Sequence, residues 1–90
     1  MKKLTIAFDI NRTLTEEVIR RLFQALDRSK CEVIVWSTQG RAYCEAFCAE
    51  YNLRPDRIVE KHSEKVDIAV DDLPGNIHQA SVVLGVNELM

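Results

Sequence analysis

Five short apolar runs, interleaved with two stretches of helical periodicity, predict a three-layer α/β domain built on a parallel sheet of about five strands. Carboxylates, hydroxyls and ammonium groups collect just after those runs, at the strand ends where such a sheet binds its ligand. The chain of 90 residues suffices for one compact domain, 1–90, and not for two.

Each element follows from local pattern. Leu4-Thr5-Ile6-Ala7-Phe8 is mostly apolar and β-favouring, as expected of a strand buried on both faces. From Thr15 to Arg28 a helix places Val18, Ile19, Leu22, Phe23 and Leu26 on one stripe, with Glu16, Arg20, Gln24 and Asp27 opposite. Thr13 and Glu16 have capping-box spacing, and Thr15 is the rival cap. Val33-Ile34-Val35-Trp36 is the second strand, and Gly40 breaks the chain after it. A second helix runs from about Arg41 to Tyr51, with Cys44, Phe47, Cys48 and Tyr51 turned inward, and Pro55 ends that region. Arg57–Glu60, Asp67–Val70 and Ser81–Leu84 complete the strands. Pro74-Gly75 marks a turn, followed by a helical turn through Ile77 and Gln79. Val86 to Met90 is a last helical turn or a frayed end.

Composition narrows the function. A hydrophobic content of 47% with 29% charged residues suits a folded core and excludes disorder. A net charge of −2, with acidic residues interleaved among Arg20, Arg21, Arg28 and Lys30, argues against a nucleic-acid partner. No apolar run approaches the roughly 20 residues of a membrane span, and Asp9 cuts the first run too short for an export signal. Cys31, Cys44 and Cys48 cannot all pair, and core thiols are the simplest reading. These features point to the cytoplasm.

The residues behind each strand carry the chemistry. Asp9, Asn11 and Thr13 follow the first, Ser37, Thr38 and Gly40 the second, Lys61 and His62 the third, and Asp71-Asp72 the fourth. Asp9 with an acidic residue of the pair offers a hard oxygen site for Mg²⁺. The cation lets a carboxylate approach a phosphate without prohibitive repulsion. Ser37 and a lysine would hold phosphate oxygens, helped by backbone N–H groups near Gly40. Simpler roles stand beside these: Ser37-Thr38 as a plain helix cap, Asn11 as a turn residue, Trp36 as core, His62 and His78 as surface residues.

These residues resemble the haloacid dehalogenase-like (HAD) superfamily. Phe8-Asp9-Ile10-Asn11-Arg12-Thr13-Leu14 resembles its first motif, Asp-x-Asp-x-Thr after a hydrophobic strand. Val33–Ser37 resembles the second, a strand ending in Ser or Thr, and Thr38-Gln39-Gly40-Arg41 resembles the loop that follows it in several phosphatase branches. The third is a lone lysine, for which Lys61 fits best and Lys65 is the alternative. Ile68–Asp72 resembles the fourth, a strand ending in paired aspartates. The motifs occur in family order from Phe8 to Asp72.

The resemblance implies a Rossmann-like, HAD-like domain and a Mg²⁺-dependent phosphohydrolase working through an aspartyl-phosphate. Asp9 would be nucleophile and metal ligand, and the Asn11 carbonyl a second ligand. Asp72 or Asp71 would complete the metal site. Thr13 would orient the loop, Ser37 and Thr38 would bind phosphate, and Lys61, or Lys65, would neutralise charge. Two departures stand out. Asn11 replaces the aspartate that protonates the leaving oxygen, which implies slow turnover or a catalytically silent metal- and phosphate-binding protein. Arg12 replaces a glycine, so its backbone is restricted if φ is positive, while its guanidinium is within reach of a phosphate. No cap domain fits between Thr13 and Ser37, and the open site suggests a homodimer in which a neighbour roofs it. A response-regulator-like domain would place its phosphorylated aspartate after the third strand, where this chain has Glu60-Lys61.

Overall fold

The computed structural model describes residues 2–90. Its elements run β1 (Leu4–Phe8), α1 (Glu17–Ala25), β2 (Cys31–Ser37), α2 (Arg41–Glu50), β3 (Arg57–Glu60), β4 (Val66–Asp71), β5 (Ala80–Gly85) and α3 (Val86–Leu89). The strands form one all-parallel sheet in the order β3-β2-β1-β4-β5. The chain builds outward from β1 through β2 to β3, then returns to lay β4 on the other side of β1. The order therefore reverses between β1 and β4, and a crevice opens outside their carboxyl ends.

β1 and β3 have the expected bounds, while β2, β4 and β5 extend beyond theirs by one or two residues. α1 is shorter than expected at both ends. Neither Thr13 nor Thr15 caps it: Glu16 occupies the cap position with no side-chain bond. The residues before it are drawn into a wide turn at Ile10–Leu14, where Leu14 N–H donates to the Asp9 carbonyl and Thr15 N–H to that of Ile10. The helical turn expected through Ile77 and Gln79 lies earlier, at Pro74–Asn76.

Strand side chains alternate between two cores. Ile6, Phe8, Val33, Val35 and Val70 meet Ile19 and Phe23 of α1, Cys44 and Cys48 of α2, and Val86 of α3 in the first core. The cysteines are free, and the Cys44 and Cys48 thiols are fully or nearly buried. Two residues of the expected inner stripes lie at the rim instead: Val18 is half exposed, and Tyr51 is exposed beneath the Arg20 guanidinium.

The second core holds Ala7, Ile34, Trp36, Val66, Ala69 and Ile77, with Val59 and Val83 against it. All three helices thus lie on one face, and the expected third layer is made of loops. Connection length explains this. Residues 61–65 alone join β3 to β4, although those strands lie three positions apart, roughly 14 Å across the sheet. A link so short leaves no length for a helix. Ala7, Ile34 and Trp36 are nevertheless fully buried. Cover for the centre of the sheet thus comes from within the chain. Among the described residues, no helix is long and apolar enough to cross a membrane.

Candidate functional site

The wide turn after β1 sets the site. Asp9 follows the strand directly, and its N–H donates to the Val70 carbonyl of β4. Asn11 is extended and Arg12 sits at φ 58°, ψ 16°, in the left-handed region that favours glycine. The sequence-based concern about a non-glycine residue here is therefore met in the backbone. The turn is held from outside: Arg20 donates to the carbonyls of Leu14 and Thr15, both at 2.9 Å. Tyr43, in the first turn of α2, donates its hydroxyl to Asn11 Oδ1 at 2.6 Å.

Asp9 and Asp71 are buried and Asp72 is half-buried, and each offers a carboxylate oxygen within 4.8 Å of the others. Lys61 reaches in from the end of β3, with Nζ 3.1 Å from Asp9 Oδ1 and 2.7 Å from Asp71 Oδ2. Leu73 N–H holds the other Asp71 oxygen at 2.8 Å. One ammonium is set against three carboxylates, so the cluster keeps a surplus of negative charge. Its mark is on Asp9, whose carboxyl is pushed up to about 6, first by burial and then by the neighbouring Asp71, against the pull of Lys61. The Lys61 ammonium is itself disfavoured by burial, but its bond to Asp71 and the charges of Asp9 and Asp71 more than compensate and raise its pKa.

Three clustered carboxylates with uncompensated charge suit a hard divalent cation, which takes oxygen ligands. The cluster lies in a cleft of about 460 Å³. Asn11, Arg12, Ser37 and Thr38 line it, with Asp9, Lys61, Asp71 and Asp72. Ser37 is buried, and its Oγ accepts the Gln39 N–H at 3.1 Å, which leaves the hydroxyl proton free for a ligand. Neither Ser37 nor Thr38 caps α2, whose cap position is Gly40 at φ 94°. Gly40 N–H donates to the Ser37 carbonyl at 3.1 Å.

Most of the sequence-derived set thus converges on one crevice. Two members do not line it. Thr13 is fully buried, and its Oγ1 has no partner among the described residues. Lys65 is exposed, and Lys61 alone of the two lysines bonds the carboxylates. The sequence reading missed Tyr43, while His62 is exposed, as expected of a surface residue. His62 lines the cleft and sets its ring edge-on to Trp36, with centroids 5.8 Å apart. It shares the strand-end position of Lys61, and that was the available signal. A depression of similar size between α2 and β3 lacks this concentration of carboxylates.

No family model, no curated protein and no solved structure matches this chain.

Proposed function

We propose that this chain is a HAD-like phosphohydrolase of Rossmann-like architecture, using Mg²⁺ and an aspartyl-phosphate at Asp9. The observation that carries the reading is the meeting of Asp9, Asp71 and Asp72 around Lys61 at the point where the strand order reverses. A buried carboxylate cluster with surplus charge is costly to fold without a cation to balance it. Mg²⁺, when bound, supplies that balance and lets a carboxylate meet a phosphate.

In this reading Asp9 attacks phosphorus, and Asp9, Asp71, Asp72 and the Asn11 carbonyl would hold the metal. Ser37 and Thr38 donate to the phosphate oxygens, and Arg12 adds charge from the rim. Lys61 neutralises nucleophile and phosphate together, and its two short bonds favour it over Lys65 for this role. Thr13 supports the turn from beneath.

A second reading keeps the pocket but not the turnover. It is favoured by Asn11, which has no proton to exchange and whose side-chain oxygen is engaged by Tyr43. Two measurements separate the readings. Calorimetry with Mg²⁺ and inorganic phosphate should show binding by the natural chain and none by the Asp9→Ala, Asp72→Ala double variant. Equal Mg²⁺ affinity in both would remove the metal site and both readings. Hydrolysis of phenyl phosphate by the natural chain then separates enzyme from binding protein, with Asn11→Asp as the positive control.

A further inference from the structure

We propose that His62 is the proton-transfer group of this site, in the place that Asn11 leaves vacant. The inference rests on the phosphohydrolase reading and adds to it the residue that moves the proton.

The chemistry sets the need. Cleaving a phosphate ester through Asp9 requires a proton for the departing oxygen, and later a base for the attacking water. Asn11 can serve neither purpose. Lys61 is held as a cation between two carboxylates, and the Tyr43 hydroxyl is spent on Asn11. Among the residues lining the cleft, His62 carries the one side chain that ordinarily gains and loses a proton near neutrality. The charged groups sharing that cleft are Asp9 and Arg12 from the β1 side, Lys61 from the same turn, and Asp71 and Asp72 from the end of β4.

The backbone makes the placement costly, and so informative. Ser63 N–H donates to the Glu60 carbonyl, closing a tight turn around Lys61 and His62. In that turn His62 adopts φ 66°, where glycine or asparagine is the comfortable choice. A side chain kept at a strained position beside a cleft is a pointer to function. The same turn delivers Lys61 to the carboxylates and His62 to the cleft wall, where the imidazole lies edge-on to the Trp36 ring.

The sequence of steps balances. An Asp9 oxygen attacks phosphorus, the ester P–O bond breaks, and the leaving oxygen takes a proton from the His62 imidazolium. Neutral His62 then takes a proton from water as its oxygen attacks the same phosphorus. The P–O bond to Asp9 breaks, and free carboxylate, phosphate and alcohol result, with one water consumed.

The test uses the full chain and His62→Asn, because asparagine tolerates the left-handed turn and should leave the fold intact. With Mg²⁺, the variant should lose 10²-fold or more of its turnover of phenyl phosphate, in line with about 10²–10⁴-fold for general acid–base catalysis. It should lose less on the formation of the phosphorylated intermediate from p-nitrophenyl phosphate, whose leaving group needs no proton. Adding Asn11→Asp to the variant should restore phenyl phosphate turnover. A second readout does not depend on activity. Trp36 is the single tryptophan, and its fluorescence should titrate with His62 in the natural chain and not in the variant. Inorganic phosphate with Mg²⁺ should shift that midpoint. Unchanged phenyl phosphate turnover in His62→Asn, or a midpoint indifferent to phosphate, would overturn the proposal. If the natural chain binds phosphate with Mg²⁺ but hydrolyses nothing, His62 has no such role while the pocket reading survives. If it neither binds nor hydrolyses, the functional reading falls and takes this inference with it.

Discussion

Lys61 Nζ lies 3.1 Å from Asp9 Oδ1, so a residue that follows the edge strand β3 is bonded to one that follows the central strand β1. The same ammonium holds Asp71 at 2.7 Å. Removing it should strand two buried carboxylates side by side. Lys61→Met is expected to cost about 3–5 kcal/mol, the usual penalty for breaking a buried ion pair from one side. Mg²⁺ should return part of that loss by taking over the counter-charge. Urea denaturation with and without Mg²⁺ measures both quantities. A loss below about 1 kcal/mol, typical of an exposed pair, would mean that the bridge is solvated.

Acidity should tune the same cluster. Asp9 rises from 3.8 to about 6 on folding, so the folded chain holds this proton more tightly than the unfolded one. Stability from this group is full below pH 3.8 and is lost as the pH rises through about 6. A shift of that size amounts to about 3 kcal/mol. Metal needs the ionised carboxylate, so the Mg²⁺-induced rise in melting temperature should be small at pH 5 and large at pH 7.5. Thermal melts at the two values decide it, and an equal rise at both would separate the metal from Asp9.

Arg12 at φ 58° sets strain against charge. Arg12→Gly should stabilise the fold by about 0.5–1 kcal/mol, since glycine takes a left-handed backbone without steric cost. The same change removes a guanidinium from the cleft and should weaken Mg²⁺-dependent phosphate binding several-fold. Denaturation and calorimetry on one sample report opposite signs. A variant less stable than the natural chain would show that the arginine side chain holds the turn.

The Tyr43 bond to Asn11 makes a milder claim. Tyr43→Phe removes one hydrogen bond from a turn that Arg20 also holds. A loss of about 1 kcal/mol in stability is expected, with a modest fall in Mg²⁺ affinity as the Asn11 carbonyl gains freedom. Affinity unchanged by the substitution would show that α2 does not steady the turn.

Much of this was legible before any coordinates. Short apolar runs predict all five strands, most clearly β2, whose residues Val33–Trp36 are fully buried. Asp9, Ser37, Lys61 and Asp71-Asp72 were found by one rule, that ligands gather behind parallel strands. What escaped depended on contacts distant in sequence. Thr13 has the spacing of a cap, yet the chain spends Ile10–Leu14 on a wide turn and leaves its hydroxyl buried. Tyr43 lies 32 residues from Asn11, and nothing in either neighbourhood signals their bond. His62 is exposed, as a surface reading expects, but it also borders the cleft beside Lys61. The third layer failed on arithmetic that needs the strand order: only once β3 and β4 are known to lie three positions apart is a five-residue link too short for a helix.

The place of β1 has a further consequence. It precedes the other four strands in the sequence, yet it lies in mid-sheet, flanked by β2 and β4. While the nascent chain grows, one pairing edge of Leu4–Phe8 can be closed by β2, but the other stays open until residues 66–71 have emerged. An open strand edge invites wrong partners, so this interval is when the chain is most exposed to misassembly. Asp9 stays apart from Asp71 and Asp72, at the end of β4, until that strand pairs with β1. The three carboxylates that could hold a cation therefore come together only when β4 has paired with β1.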